Sequence, residues 1–138
     1  IAGAAALRIV DLLSVSPLPV EGNEEPSGAE VEIDDVSFSY GSTLALQDVS
    51  LTVPQGTVMA LVGPSGSGKS TLATLVARFA DPDQGSVRIG GVDVRAIAPD
   101  VLYRHVSFVL QDPQLLDISV RENIALGRNL GSCYRCPY

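Results

Sequence analysis

"LVGPSGSGKSTLATLV", residues 61–76, passes from one apolar run through a loop rich in glycine and serine into a second apolar run. Lys69 in that loop is the only lysine of the chain. Gly63, Gly68, Lys69 and Ser70 fit G-x-x-x-x-G-K-[ST], the P-loop pattern. A polyphosphate is strongly anionic and is best held by backbone N–H groups, which needs an approach that Cβ atoms would obstruct. The spacing predicts a helix opening near Lys69, with its N-terminal partial charge aimed at the phosphates. Gly63, Pro64, Ser65, Gly66, Ser67, Gly68, Lys69, Ser70 and Thr71 are therefore the candidate nucleotide-binding residues. Lys69 serves as a mobile charge for the outer phosphates, and the Ser70 hydroxyl as a ligand to Mg²⁺. A Gly/Ser turn leading into an ordinary helix is the bland alternative.

The flanks carry the fold. "TVMALVG" (57–63) is continuously apolar, the pattern of a central strand covered on both faces. "KSTLATLVARFA" (69–80) places Leu72, Leu75, Val76 and Phe79 at helical spacing and stops at Asp81-Pro82. Upstream, "AEVEIDDVSFSYG" alternates through Val31, Ile33, Val36, Phe38 and Tyr40, with Asp34-Asp35 shifting the phase. "LALQDVSLTV" alternates as well, so the two read as antiparallel strands with one wet face. Downstream come a strand, a Gly90-Gly91 turn and a strand in "GSVRIGGVDV", then a short helix opened by Pro99. "VSFVLQD" is a second apolar strand ending at Gln111. "SVRENIALG" is a helix boxed by Ser119 and Glu122 and stopped by Gly127.

Residues 1–15 read as an amphipathic helix and 16–28, with three prolines, as a linker. The unit that carries the loop runs over 29–128, and 129–138 shows no periodicity. The expected fold is thus α/β, a P-loop NTPase core with an incomplete parallel sheet and flanking helices, plus a small antiparallel β-subdomain.

At 138 residues and 46% hydrophobic the chain can bury a core. A net charge of −7, with eight of the sixteen acids before residue 36, argues against a nucleic-acid partner. No stretch is apolar for the roughly 18 residues of a membrane span. Cys133 and Cys136 lack the second pair or the helix start that a zinc or redox site needs. Asp93 reads as a solvated strand residue, and His105, at a helix end, as a dipole-complementing cap.

From Val31 to Arg128 the sequence resembles the nucleotide-binding domain of ATP-binding cassette transporters. The resembling stretches are "VEIDDVSFSYG", "ALQDVSLTVPQG", "LVGPSGSGKSTL", "GSVRIGGVDVR" and "VSFVLQDPQLLDISVRENIALG". The resemblance implies ATP and Mg²⁺ as ligands, Tyr40 stacked on adenine, and Gln111 touching the metal and the attacking water beside Lys69. Its partners would be a transmembrane domain and a second nucleotide-binding domain, at the cytoplasmic face of the cell membrane. The helix at 119–127 is similar to the exporter-type branch, and 1–15 to the segment that follows its last membrane helix. The family's apolar strand ending in Asp-Glu, its Leu-Ser-Gly-Gly-Gln signature and its late histidine do not occur in these 138 residues. The sequence therefore reads as part of a transporter ATPase that does not turn over by itself. A non-hydrolysing ATP-binding module and a truncated product without function stay open as alternatives. A GTPase is excluded, since its Asn-Lys-x-Asp needs a second lysine, and the scattered arginines after the loop do not suit a small kinase.

Overall fold

A computed structural model describes residues 18–19, 22–109 and 115–124. They fall into two compact units, divided between Ser107 and Phe108.

The first unit is built on a four-stranded sheet. Strands β1 (Val31–Tyr40) and β2 (Thr43–Val53) form a hairpin, and β3 (Gln84–Ile89) and β4 (Val92–Asp93) form another. The order is β2-β1-β3-β4, and every pairing is antiparallel. The alternating residues place Ile33, Val36 and Phe38 of β1, Leu46 of β2, and Val87 and Ile89 of β3 in the core. Asp34 and Asp35 shift the register as their sequence predicts: the ladder is irregular between Ile33 and Val36, and Asp35 takes φ 51°. The extra residue lets both Ile33 and Val36 face inward across the bulge.

Helix α1 (Lys69–Val76) lies against β2 and β3, with Leu72 and Leu75 buried in the same core. It ends four residues before Asp81-Pro82 would require. Arg78 N–H donates to Leu75 O at 3.0 Å and Phe79 N–H to Thr74 O at 2.9 Å, with Arg78 at φ 53°. That pair of bonds is a Schellman closure, in which a left-handed residue turns the chain out of the helix. Phe79, expected on the buried helical face, is consequently 53% exposed. A 3-10 turn (Val94–Ala96) and helix α2 (Pro99–His105) complete the unit, adding Val94, Ile97 and Leu102 to the core. Asp93 is half-buried rather than a solvated strand residue: its Oδ1 accepts from the Arg95 N–H at 2.9 Å and caps the 3-10 turn. His105 is exposed in the last turn of α2.

The sheet departs from expectation in one respect. Among the described residues no strand pairs in parallel, and residues 57–63 carry no ladder bonds. Val58 is 100% exposed and Val62 90%. The first part of the second expected strand, residues 106–109, likewise belongs to no strand of the sheet. An apolar run asks for burial, but a strand forms only where a neighbour accepts its backbone bonds, and a parallel neighbour comes from a distant crossover.

In the second unit, helix α3 (Val120–Ile124) opens as its sequence predicts. Ser119 N–H donates to Glu122 Oε2 at 3.0 Å, and Glu122 N–H donates to Ser119 Oγ at 3.2 Å. The Ser119 hydroxyl, and with it the Ser119 N–H, donates to the Glu122 carboxylate and holds that group below its ordinary value. The expected helix over 1–15, Gln111, Gly127, and the stretch 129–138 with both cysteines lie outside the described residues, as does part of the expected linker.

Candidate functional site: a lysine-centred loop at the start of helix α1

The loop between residue 62 and α1 is organised around Lys69. Its ammonium donates to Gly63 O at 2.9 Å, to Pro64 O at 2.7 Å and to Ser67 Oγ at 3.1 Å. Ser67 N–H closes a turn on Pro64 O at 3.3 Å, and residues 61–67 are exposed to solvent. A single cation thus gathers three loop oxygens, which bends the chain into a ring around the helix start. Gly66 (φ 80°) and Gly68 (φ 84°) take left-handed conformations that residues with a Cβ adopt only at a cost.

Gly68 also fixes where the loop sits. A Cβ on it would lie 2.6 Å from Leu46 Cδ2 and 2.8 Å from Ala45 O, so the loop rests directly on β2. Gly68 is the N-cap of α1, and no side chain caps the helix there. Leu72 N–H makes the first helical bond, to Gly68 O at 2.8 Å. The N–H groups of the first turn therefore have no helical acceptor, which is the arrangement that receives an anion. Ser70 stands exposed on that turn.

The ABC transporter family matches residues 46–135, a span that contains this loop and helix α1. This chain belongs to the ABC transporter family. Over 134 residues it is 52% identical to the mycobactin import ATP-binding/permease protein IrtA of Mycolicibacterium thermoresistibile, covering 88% of this chain and 15% of that protein. Over 131 residues it is 38% identical to the ATP-dependent lipid A-core flippase of Desulfotalea psychrophila, covering 91% of this chain and 23% of that one. Among solved structures, a bacterial Atm1-family ABC exporter with ATP bound superposes with a TM-score of 0.75 at 34% identity, over 91% of this chain and 23% of that chain. The fold is accordingly the α/β P-loop NTPase fold of ABC proteins, of which β1–β4 form the antiparallel part. This ABC chain spans less than a quarter of the length of the relatives named here. None of its described helices is long and apolar enough to cross a membrane.

The remaining candidates of this ABC chain are Tyr40 and Gln111. Tyr40 closes β1 at the hairpin turn, opposite Thr43, and is 56% exposed. Its ring stands edge-on to Phe38, with centroids 4.9 Å apart and planes at 88°, so the phenol is propped from one side and open on the other. Gln111 lies outside the described residues. The described residues bring no three His, Cys, Asp or Glu side chains together to hold a metal ion. Mg²⁺ suits such a place, because it keeps several waters and takes phosphate oxygens with one or two protein groups. The donor set of the loop thus fits a Mg²⁺–polyphosphate.

Two contacts escape sequence reasoning. The seating of Gly68 on Leu46 pairs residues far apart in the chain, and no local pattern announces it. Asp83 accepts from the Ser39 N–H at 2.8 Å, just before Tyr40, yet in sequence it is one acid in the turn "DPDQG".

Proposed function

We propose that this chain is the ATP-holding part of an ABC transporter ATPase that powers movement of a substrate across a membrane. The observation that carries the reading is the three-point hold of Lys69 on its own loop, set beneath the open first turn of α1. When a triphosphate enters, Lys69 exchanges loop carbonyls for phosphate oxygens, and the first-turn N–H groups replace the water that the phosphates lose. Residues 63–71 form the cradle, Ser70 holds Mg²⁺, and Tyr40 stacks its open face on the adenine. Bound Mg²⁺ supplies charge neutralisation between the phosphates. Gln111 takes the family role of touching metal and attacking water.

In this reading residues 29–128 are the front part of the nucleotide-binding domain, reached through the linker 16–28 from a segment, 1–15, that follows a membrane domain. The stretch 129–138 lies outside that pattern. A transmembrane domain and a second nucleotide-binding domain are its partners at the cytoplasmic face of the membrane. Phosphoryl transfer to water in this family is a matter of positioning and electrostatics. Residues 1–138 contain no apolar strand ending in Asp-Glu and no Leu-Ser-Gly-Gly-Gln. We therefore expect this chain alone to bind MgATP weakly without turning it over. Loss of a water-activating base costs about 10²–10⁴-fold in rate.

Titration calorimetry of the 138-residue chain with MgATP, beside Lys69→Ala, tests the proposal. The variant should bind roughly tenfold more weakly or worse, since a hydrogen-bonded charge is removed from the phosphates. Equal affinity of the two chains, or no binding by the parent, would overturn it.

A further inference from the structure

The upper end of β1 is held by a side chain rather than by a strand. Toward β3 the ladder's last pair is Ser37 with Gln84, because β3 begins there. Beyond that point Ser39 has no strand residue to receive its N–H on this side. Asp83 takes the place of one: its own N–H donates to Ser37 O at 3.0 Å, and its Oδ2 accepts from Ser39 N–H at 2.8 Å. A single residue thus carries the pairing past the end of β3, up to the residue before Tyr40. On the other edge, Ser39 and Tyr40 pair with Leu44 and Thr43 of β2. The end of β1 is therefore clasped from both sides, although Tyr40, Thr43, Leu44 and Asp83 are all exposed.

This end of the hairpin is its exposed Gly41-Ser42 turn, and exposed loops belong to the least stable part of a fold. A ring that must meet a flat base gains affinity from being held in place beforehand. Phe38 props the Tyr40 ring from below, and Asp83 holds the backbone that carries it. We infer that Asp83 is a positioning residue for Tyr40, setting the phenol to receive a purine base. This rests on the reading of Tyr40 as the adenine platform and adds the residue that presents it. Asp83 touches neither base nor phosphate in this account, so its effect is confined to ligands that carry a base.

The test compares MgATP with magnesium tripolyphosphate, which offers the same phosphates and no base. The 138-residue chain and its Asp83→Ala, Asp83→Asn, Tyr40→Ala and Tyr40→Ala/Asp83→Ala variants are titrated with both. Tyr40→Ala should weaken MgATP roughly tenfold, the scale of one base–aromatic stack. Asp83→Ala should weaken it about three- to tenfold, the scale of one backbone hydrogen bond. Tripolyphosphate binding should be unchanged in both. Asparagine keeps the acceptor oxygen without the charge, so Asp83→Asn should bind MgATP like the parent. In the Tyr40→Ala background, Asp83→Ala should add no further loss.

Asp83→Ala weakening both ligands alike would mean a general loss of structure and would overturn the inference. So would Asp83→Asn behaving like Asp83→Ala, or Asp83→Ala leaving MgATP untouched while Tyr40→Ala weakens it. If Tyr40→Ala itself spares MgATP relative to tripolyphosphate, the platform reading falls and the inference falls with it.

Discussion

The Arg78 guanidinium donates through Nη2 to the carbonyl oxygen of Pro19 at 2.7 Å, across 59 residues of sequence. The same side chain donates through Nε to Asp81 Oδ1 at 3.1 Å. Arg78 is only 6% exposed, and it is the left-handed residue that ends α1. A charged side chain at the far end of the P-loop helix thus ties down the segment that precedes β1. Glu24 N–H on Ala96 O, at 3.1 Å, and Ser27 N–H on Gly90 O, at 3.2 Å, continue the same attachment.

Arg78→Ala removes both side-chain bonds and leaves Asp81 without its partner. The expected loss is about 2 kcal/mol, the scale of charged hydrogen bonds in a partly buried place. Arg78→Gly loses the same bonds but adopts the left-handed backbone without penalty. It should be more stable than Arg78→Ala by about 1 kcal/mol. Urea unfolding of the three chains measures both differences, and the reverse order of the two variants would contradict the account.

Gly68 and Gly66 share a left-handed φ, but only Gly68 is crowded, by Leu46 and Ala45. Alanine at 66 should cost about 1–2 kcal/mol from the backbone alone. Gly68→Ala should cost more, because either β2 or the start of α1 must shift to admit the methyl group. Thermal melts of the two variants give the ranking directly.

Leu75 is fully buried between α1 and the sheet, whereas Phe79, at similar helical spacing, is half-exposed. Leu75→Ala should destabilise by roughly 2–5 kcal/mol through lost burial and a cavity. Phe79→Ala should cost less than about 1 kcal/mol. Denaturant midpoints distinguish the two sites, and a larger effect at Phe79 would refute the early helix end.

Burial of the Asp93 carboxyl raises its pKa, but the hydrogen bonds and charge of Arg95 outweigh this and hold it below the ordinary 3.8. A carboxylate depressed in the folded state stabilises above its unfolded value and loses that contribution as pH falls through the folded one. Asp93→Asn should therefore melt below the parent at pH 7, by less than about 1 kcal/mol for so exposed a pair. The gap should close as the pH is taken below 3.8. Melting curves from pH 7 to about 2.5 follow it. A gap that is constant with pH would exclude the charge as its cause.

Much of the local structure was legible in the residues. The phase shift at Asp34-Asp35, the Gly90-Gly91 turn, the helix opened by Pro99 and the Ser119–Glu122 box each depend on neighbours a few positions apart. Short-range sterics and hydrogen bonding decide such features, and they stand as their sequences predict. The position of α1's end was not legible. Asp81-Pro82 is a strong stop, but the chain leaves the helix earlier because Arg78 finds acceptors in Asp81 and, from far along the sequence, in Pro19.

The loop at 63–71 shows where the division falls. Its glycines, its single lysine and the helix that starts there were legible in the sequence alone, because the P-loop pattern fixes those residue types at that spacing. That Gly68 seats the loop on Leu46 was decided only when β2 and α1 packed together. The same holds for Asp83 reaching Ser39, and for the unpaired run at 57–63. Residue type and spacing set what a segment can do, whereas a ladder partner or an acceptor distant in sequence exists only once the chain has folded.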